Sequence, residues 1–341
     1  MIIRAFPSAR RCRTYLFIGV HSTALGPAAG GTCLKVYDRP TDGLRDVLRL
    51  AEGMTKKLAV AGLDSGGGKA VLAVPQLPQG GQKRDLLLRY ADLVESLHGT
   101  YRTGPDMNTT SADMDVIGER TAHVFGRTRE HGGHGSSAPD TAVGVYHGIR
   151  ASVSYVFGSP ELSGRSVLVQ GLGGVGRVLV DLLARDGAKL LITDVDAERV
   201  GEAEAATGAA VVSPAAVVGT ECDVYSPCAT GGVLSAQSIP RLRCRIVAGA
   251  ANNQLAEPAD ADRIAEAGIL YAPDFVINAG GALHLFGLEV LGWNAQELAG
   301  KLAGVGSTLT EIYQQTERDG GHTEAAAEAI AAGRLRAARR R

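Results

Sequence analysis

The sequence predicts an α/β protein of two domains, the second built on a parallel sheet with helices on both faces. Three observations carry this. The chain has 341 residues, enough for two domains of ordinary size. Beyond about residue 140, short apolar strands alternate with amphipathic helical stretches. A G-x-G-x-x-G run, Gly171-Leu172-Gly173-Gly174-Val175-Gly176, falls between one such strand and the helix after it.

The elements follow in order. Residues 15–20 (YLFIGV) read as a strand, and residues 43–58 as a helix, because Leu44, Val47, Leu48, Ala51, Met54 and Leu58 recur at helical spacing. Ser65-Gly66-Gly67-Gly68 reads as a glycine-rich loop leading into an apolar strand, Ala70 to Val74. Residues 85–98 read as a helix. Gly126 to Pro139 is rich in Gly, Ser and His and approaches a domain boundary. Ala142 to Val156 resumes as a helix, Ser166 to Gln170 is a strand, and 174–186 is a helix with Val175, Val178, Leu179, Leu182 and Leu183 on one face. Leu190 to Thr193 is the next strand, ending at Asp194. Short strand runs follow at 223–225, 245–247 and 269–271, and the tail from Ala295 is helical. The domains expected are 1–135, joined by C-terminal helices from about 286 to 341, and 136–285.

Composition narrows the function. The chain is 45% hydrophobic and 21% charged, with a formal net charge of −1. Such balance favours neither nucleic acid nor an anionic membrane as a partner. No window approaches the roughly 20 apolar residues of a membrane span. The five cysteines (Cys12, Cys33, Cys222, Cys228, Cys244) are odd in number and form no CxxC pair. We therefore expect neither a metal site nor a disulfide framework, and a reduced, cytoplasmic setting. The N-terminal arginines (Arg4, Arg10, Arg11, Arg13) and the apolar run 15–20 make too short a segment for a signal peptide.

The glycines at 171, 173, 174 and 176, with Val175, predict a dinucleotide site of the Rossmann kind. They permit the turn and bring backbone N–H groups to a pyrophosphate at the helix N-terminus. Asp194 lies 18 residues past Gly176. A carboxylate there can bond both ribose hydroxyls and would repel a 2′-phosphate, so NAD is expected over NADP. Asp196 is near enough to share the role, and a strand-end turn is the plain alternative for Asp194.

Two lysines and an aspartate stand out in the first domain. Lys57 falls near the apolar stripe of the 43–58 helix, whereas Lys56 shares the polar side with Arg49 and Glu52. An inward lysine needs a carboxylate partner, and a lysine that snorkels to the surface does not. Lys69 follows three glycines. It is not a P-loop lysine, because Leu63 and Ala70 stand where a glycine and a Ser or Thr would be needed. Near another cation and partly desolvated, it would have a lowered pKa and could act as acid/base; an exposed loop lysine is the alternative. Asp106 sits in a turn-like segment, and an Asx-turn alone accounts for it. Asp113 and Asp115 read as capping and surface carboxylates. A dinucleotide domain beside two such lysines supports an oxidoreductase without naming its substrate.

Gly53-Met54-Thr55-Lys56-Lys57 and Ala61 through Val71 strongly resemble the signature of the Glu/Leu/Phe/Val dehydrogenase superfamily. The likeness continues at Gly30-Gly31-Thr32, Gly104 to Thr109, Thr141 to Val145, Gly249 to Asn253 and Ala272 to Gly281, over about residues 20–295. It implies a substrate and oligomerisation domain, an NAD domain and a catalytic cleft between them. It implies that Lys57 holds the substrate α-carboxylate, that Lys69 is the acid/base handling water, and that Asp106 steadies the amino group and relays a proton. Gly31, Gly104, Asn252, Asn253 and Leu283 would meet the substrate, and Thr141, Asn252 and Asn278 the nicotinamide. The implied reaction takes an L-amino acid and NAD to a 2-oxo acid and ammonia, in a homo-oligomer. Gly104 to Thr109, Gly135 to Ser137 and Gly281 to Leu285 are most similar to phenylalanine dehydrogenases, with leucine and valine dehydrogenases close behind. The expectation is that Gly104, lacking a methyl, makes room for an aryl ring, and that His284 either lines the pocket or is structural. Cys33 stands where the family usually has Arg. Two rival classes are a non-catalytic NAD-binding protein and a hydroxy acid dehydrogenase; the latter lacks an Arg/His pair at fitting spacing.

Overall fold

Apolar alternation over the first third of the chain builds one mixed sheet with helices on it. The computed structural model describes residues 2–7 and 14–340, with side chains from Thr14 onward. Cys12 and the side chains of Arg4, Arg10, Arg11, Arg13 and Arg341 lie outside the described residues. The first elements are β1 (Ile2–Pro7), β2 (Tyr15–Ser22), β3 (Ala28–Val36), α1 (Pro40–Val60), β4 (Gly66–Val74), α2 (Gly80–Glu95), β5 (Tyr101–Pro105) and α3 (Ser111–Ile117). The strand order is β1-β2-β4-β3-β5. β1/β2 and β2/β4 are antiparallel, β4/β3 and β3/β5 parallel.

Each face of this sheet carries its own core. Ile18, Leu34, Leu72, Tyr90, Val94 and Tyr101 join α2 and α3 to one face. Phe17, Cys33, Val47, Val71 and Ala73 join α1 to the other. Pro40 suits the first turn of α1, where its missing N–H is not needed. Ser65 to Gly68 is not the loop expected: β4 starts at Gly66, and all of it is buried. A Cβ at Gly67 would overlap the Thr55 backbone of α1, and one at Gly68 would come within 2.8 Å of the Tyr101 ring. Here glycine permits close packing above and below a strand and marks no turn.

The rest of the chain adds α4 (Ala138–Phe157), β6 (Ser166–Gln170), α5 (Gly174–Arg185), β7 (Lys189–Thr193), α6 (Ala197–Thr207), β8 (Ala210–Val211), β9 (Val224–Pro227), β10 (Ile246–Val247), α7 (Asp260–Glu266), β11 (Leu270–Tyr271), α8 (Asp274–Ile277), α9 (Gly280–Glu289), α10 (Ala295–Asp319) and α11 (Thr323–Ala338). β6 to β11 form one parallel sheet in the order β11-β10-β9-β6-β7-β8. The chain thus has the two-domain α/β architecture with a Rossmann-like parallel sheet.

Two compact units result. One comprises the residues up to Gly135 with Leu285–Trp293 and Ala331 onward; the other comprises Ser136–His284 and Asn294–Ile330. The C-terminal helices therefore do not join the first unit as a block. α10 packs on α4, burying Leu298, Leu302, Val305, Leu309, Ile312 and Tyr313. Each such side chain contributes ~1.5–3 kcal/mol on removal from water. Gly306 lets the His147 carbonyl approach, and Tyr313 shares a 2.7 Å hydroxyl bond with buried Ser152.

Candidate active site

The register of the first sheet places two glycines and a lysine in one row. Gly31 on β3 pairs with Gly104 on β5, and the β3–β4 register sets Lys69 beside Gly31. All three face the α1 side, as Cys33 and Gly67 do by strand alternation. α1 packs over β2 and β4 and reaches β3 only marginally. The row at β4-β3-β5 is therefore a glycine floor beside the helix. On the opposite face, Thr32, Tyr90 and Thr103 hydrogen-bond one another (2.9, 2.5 and 2.7 Å), and the Tyr101 hydroxyl donates to the Gly30 carbonyl. This network fixes β3 against β5 beneath the floor.

Over the floor, Lys69 and Asp106 form an ion pair through Asp106 Oδ2. The lysine side chain is 8% exposed and the aspartate 35%, so the cation is buried and the carboxylate stands at the mouth. Asp106 Oδ1 accepts from Met107 N at 2.7 Å and from the Cys33 thiol at 3.4 Å. Thr109 secures the turn: its Oγ1 accepts from Asp106 N at 2.8 Å and donates to the Thr32 carbonyl. The turn is held by Thr109 and by the Met107 N–H, and Asp106 Oδ2 is left to the ion pair. A Cβ at Gly31 would come within 2.7 Å of Asp106 Cβ and Oδ2, so this glycine is what admits the aspartate.

The expectation of a lowered Lys69 pKa is not met. Burial alone pulls it down, but the Asp106 carboxylate outweighs burial and holds it above its ordinary value. The same pairing holds Asp106 below the usual carboxylate range, against its own burial. Burial pushes the Cys33 thiol up to about 12, so it is a neutral donor to Asp106. Where the family resemblance expects arginine, this chain places a thiol on the site carboxylate.

Lys57 flanks the buried stripe of α1, which runs through Val47, Ala51, Thr55 and Leu58, and is itself half-buried. Lys56 pairs with Glu52 at 2.9 Å on the polar side, as expected. Asp113 closes a capping box with Thr110. Gly104 departs from expectation: the space of its missing methyl is filled by the Phe125 ring, which a Cβ there would overlap. Phe125 in turn meets Phe286 edge-on, at 6.2 Å between centroids. Leu283, expected at the substrate, is 1% exposed and packed within the second unit. His284 is buried and bonded through Nδ1 to Asp140, while its Nε2 is buried without a protein partner. Cys33, Thr109 and Phe125 were missed in the sequence. Only the departure at 33 gave a signal.

In the second unit the glycines of the turn divide the work. Gly171 has φ +100°, a conformation that disfavours side chains, and a Cβ at Gly176 would overlap the Gly171 carbonyl. A Cβ at Gly173 would meet nothing within 4 Å, leaving open space at the N-cap of α5. Gly174 and Val175 follow in the first turn, where backbone N–H groups lack helical acceptors. Asp194 accepts from Leu172 N at 2.6 Å through Oδ2 and from Asp196 N at 2.9 Å through Oδ1. Asp196 instead caps α6. Asn278 donates to the Ala250 carbonyl and to Asn252 Oδ1, and its own Oδ1 is buried without a partner in the protein. Asn252 and Asn253 are exposed, the latter at φ 52°. Thr141 donates to the Ser137 carbonyl. An open N-cap, a tethered carboxylate and an orphaned amide oxygen fit a nicotinamide dinucleotide.

Residues 12–123 match the family model described as the Glu/Leu/Phe/Val dehydrogenase dimerisation domain, and residues 192–341 that of Glutamate/Leucine/Phenylalanine/Valine dehydrogenase. The chain belongs to this family, which uses a nicotinamide cofactor, and it is an amino acid dehydrogenase. It is 41% identical to a leucine dehydrogenase of Geobacillus stearothermophilus, over 95% of this chain and 87% of that one. It is 43% identical to a valine dehydrogenase of Streptomyces virginiae, over 94% and 90%. The crystal structure of L-tryptophan dehydrogenase from Nostoc punctiforme superposes with a TM-score of 0.87 at 36% identity, over 100% of this chain and 97% of that one. Among the described residues no helix is long and apolar enough to cross a membrane.

Proposed function

We propose that the protein catalyses reversible, NAD-dependent oxidative deamination of an apolar L-amino acid, phenylalanine favoured, to the 2-oxo acid and ammonia. The observation that carries this is the buried Lys69–Asp106 pair over a glycine floor. Lys57 binds the α-carboxylate as a fixed cation. Asp106, at the mouth, steadies the amino group and takes its proton. Lys69 deprotonates the water that attacks the imine carbon and protonates the departing amine. Gly31 and Gly104 let the substrate backbone lie close to the sheet. NAD would supply the hydride acceptor for Cα. Gly171, Gly173, Gly174, Val175 and Gly176 would hold its pyrophosphate, Asp194 its adenosine ribose, and Thr141, Asn252 and Asn278 its nicotinamide end, with Asn253 beside the substrate. The Asp194 carboxylate at the end of β7 supports NAD over NADP, since a 2′-phosphate there would be repelled.

The aromatic preference draws support from the tryptophan dehydrogenase likeness, whereas the Phe125 ring that fills the space beside Gly104 favours a smaller side chain. A second reading, leucine or valine, draws support from the 41–43% identity to those enzymes. The relative kcat/KM for phenylalanine, leucine and valine, followed by NADH absorbance, decides between them. No turnover with any L-amino acid overturns both. We expect Lys69→Ala to abolish turnover while NAD binding persists; retained turnover removes the acid/base role. The family model for the N-terminal residues describes a dimerisation domain, which supports a homo-oligomer, to be measured by sedimentation.

A further inference from the structure

We propose that Cys33 is a positioning residue for the reaction: its thiol, donating to Asp106 Oδ1, aims the carboxylate so that Oδ2 stays turned to Lys69. The proposal rests on the reading of Lys69 and Asp106 as the reacting pair. Cys33 follows Gly31 by two residues on β3, so both face the same side, about 6.7 Å apart along the strand. Asp106 stands over Gly31. From there Lys69 lies across the sheet on β4, and Cys33 lies along β3. The carboxylate is therefore held from two directions that cross, Oδ2 by the Lys69 ammonium and Oδ1 by the Cys33 thiol at 3.4 Å. The last torsion of an aspartate is broad and nearly two-fold, so one bond leaves the carboxylate plane free to turn, and a second on the other oxygen fixes it. Oδ1 also accepts from Met107 N, but that donor is the next residue of the same turn and moves with it. Cys33 ties Oδ1 to the sheet.

The surroundings leave the thiol to this bond. Cys33 is 6% exposed and packs with Phe17, Val47, Val71 and Ala73, whose apolar side chains offer it no other acceptor. Tyr37, packed at the edge of the same core, commits its hydroxyl to Asp46 at 2.6 Å and so does not compete for Asp106. The thiol, pushed up to about 12 by burial, keeps its proton near neutrality and goes on donating. A neutral donor adds no positive charge beside the carboxylate, which keeps its attraction for the ammonium group of a substrate. Buried behind Asp106, Cys33 acts on the reaction through that carboxylate.

The test compares the full-length wild type with Cys33→Val, which fills the core without a donor, with Cys33→Ala, and with Cys33→Ser, which keeps a donor. On the best substrate among phenylalanine, leucine and valine, we expect kcat/KM to fall by about three- to tenfold in Cys33→Val and Cys33→Ala and by less in Cys33→Ser. The alkaline limb of kcat/KM in Cys33→Val should move to lower pH, because a carboxylate that is no longer aimed raises the Lys69 pKa less. An infrared difference spectrum, wild type minus Cys33→Ser, cancels the other four cysteines and should show the S–H stretch below the frequency of a free thiol. Should Cys33→Val fail to fold, Cys33→Ala supplies the same comparisons. Donor-less variants within about twofold of wild type overturn the proposal, as does a Cys33→Ser no better than they are, an unmoved limb or a free-thiol band. In each case an active wild type leaves the Lys69–Asp106 reading standing. A wild type inactive on every amino acid removes that reading, and this proposal with it.

Discussion

Lys69 carries both burial and a partner, and the partner decides its charge. Burying a lone ammonium costs several kcal/mol, and the Asp106 carboxylate offsets that cost. A water-activating base must be neutral when it acts, so the raised pKa makes oxidative deamination climb with pH. In Asp106→Asn the carboxylate that raises the pKa is gone and burial pulls it down. The alkaline limb of the residual rate should then move to lower pH, measured as kcat/KM against pH; a limb that stays or moves up contradicts the pairing. The pair also fixes the sign for stability. Asp106, lowered from 3.8, stabilises above that value and loses its contribution as pH falls through its folded pKa. Lys69, raised from 10.5, stabilises below that value and loses its contribution as pH rises through its folded pKa. Thermal unfolding should show the pair's contribution level between about pH 4 and pH 10 and failing at each end, with the acid loss absent in Asp106→Asn. The lysines and Asp106 were legible in the sequence because their motif is long. Cys33 on Asp106 and Phe125 on Gly104 were not, because 73 residues separate the first pair and the second meets through a side chain that points across strands.

At the scale of elements, glycine misled and guided in turn. The run at 66–68 reads as a loop by composition, yet it is strand because Thr55 and Tyr101 crowd it from two sides. The run at 171–176 has the strand-turn-helix context that the sequence assigns, and its members differ in what surrounds them. Gly176→Ala drives a methyl into the Gly171 carbonyl and should cost ~1–3 kcal/mol or more, read as a lower Tm. Gly173→Ala meets open space and, at an N-cap with φ −69°, should leave Tm nearly unchanged while weakening NAD binding. A Gly173→Ala protein that binds NAD as tightly as wild type contradicts the placement of the pyrophosphate. Asp194 and Asp196, indistinguishable by spacing, are separated by capping: one faces the glycine turn and the other closes α6.

The whole molecule divides into two units, each with its own core, and the chain passes between them more than once. A ligand of the second unit should protect that unit first. On adding NAD, hydrogen exchange should slow across β6, the glycine turn and β7, with β3 and β5 changing less. Equal protection of both sheets would mean the nucleotide is read by both. The helical tail shows how far patterning reaches: the sequence marks residues from Ala295 as helix, but which unit they cover depends on Gly148 and Gly306 letting α4 and α10 close up.

The sequence by itself determined the two-domain α/β class and the strand–turn–helix around the glycines at 171–176, and it singled out Lys57, Lys69 and Asp106 as candidates, because these rest on local periodicity and on motifs contiguous in the chain. Tertiary structure alone decided that Lys69 is ion-paired, that a thiol holds Asp106, and that Phe125 occupies the space Gly104 leaves. Strand register sets those neighbours, and register is fixed by the packing of the whole sheet, a property that no short stretch of sequence contains.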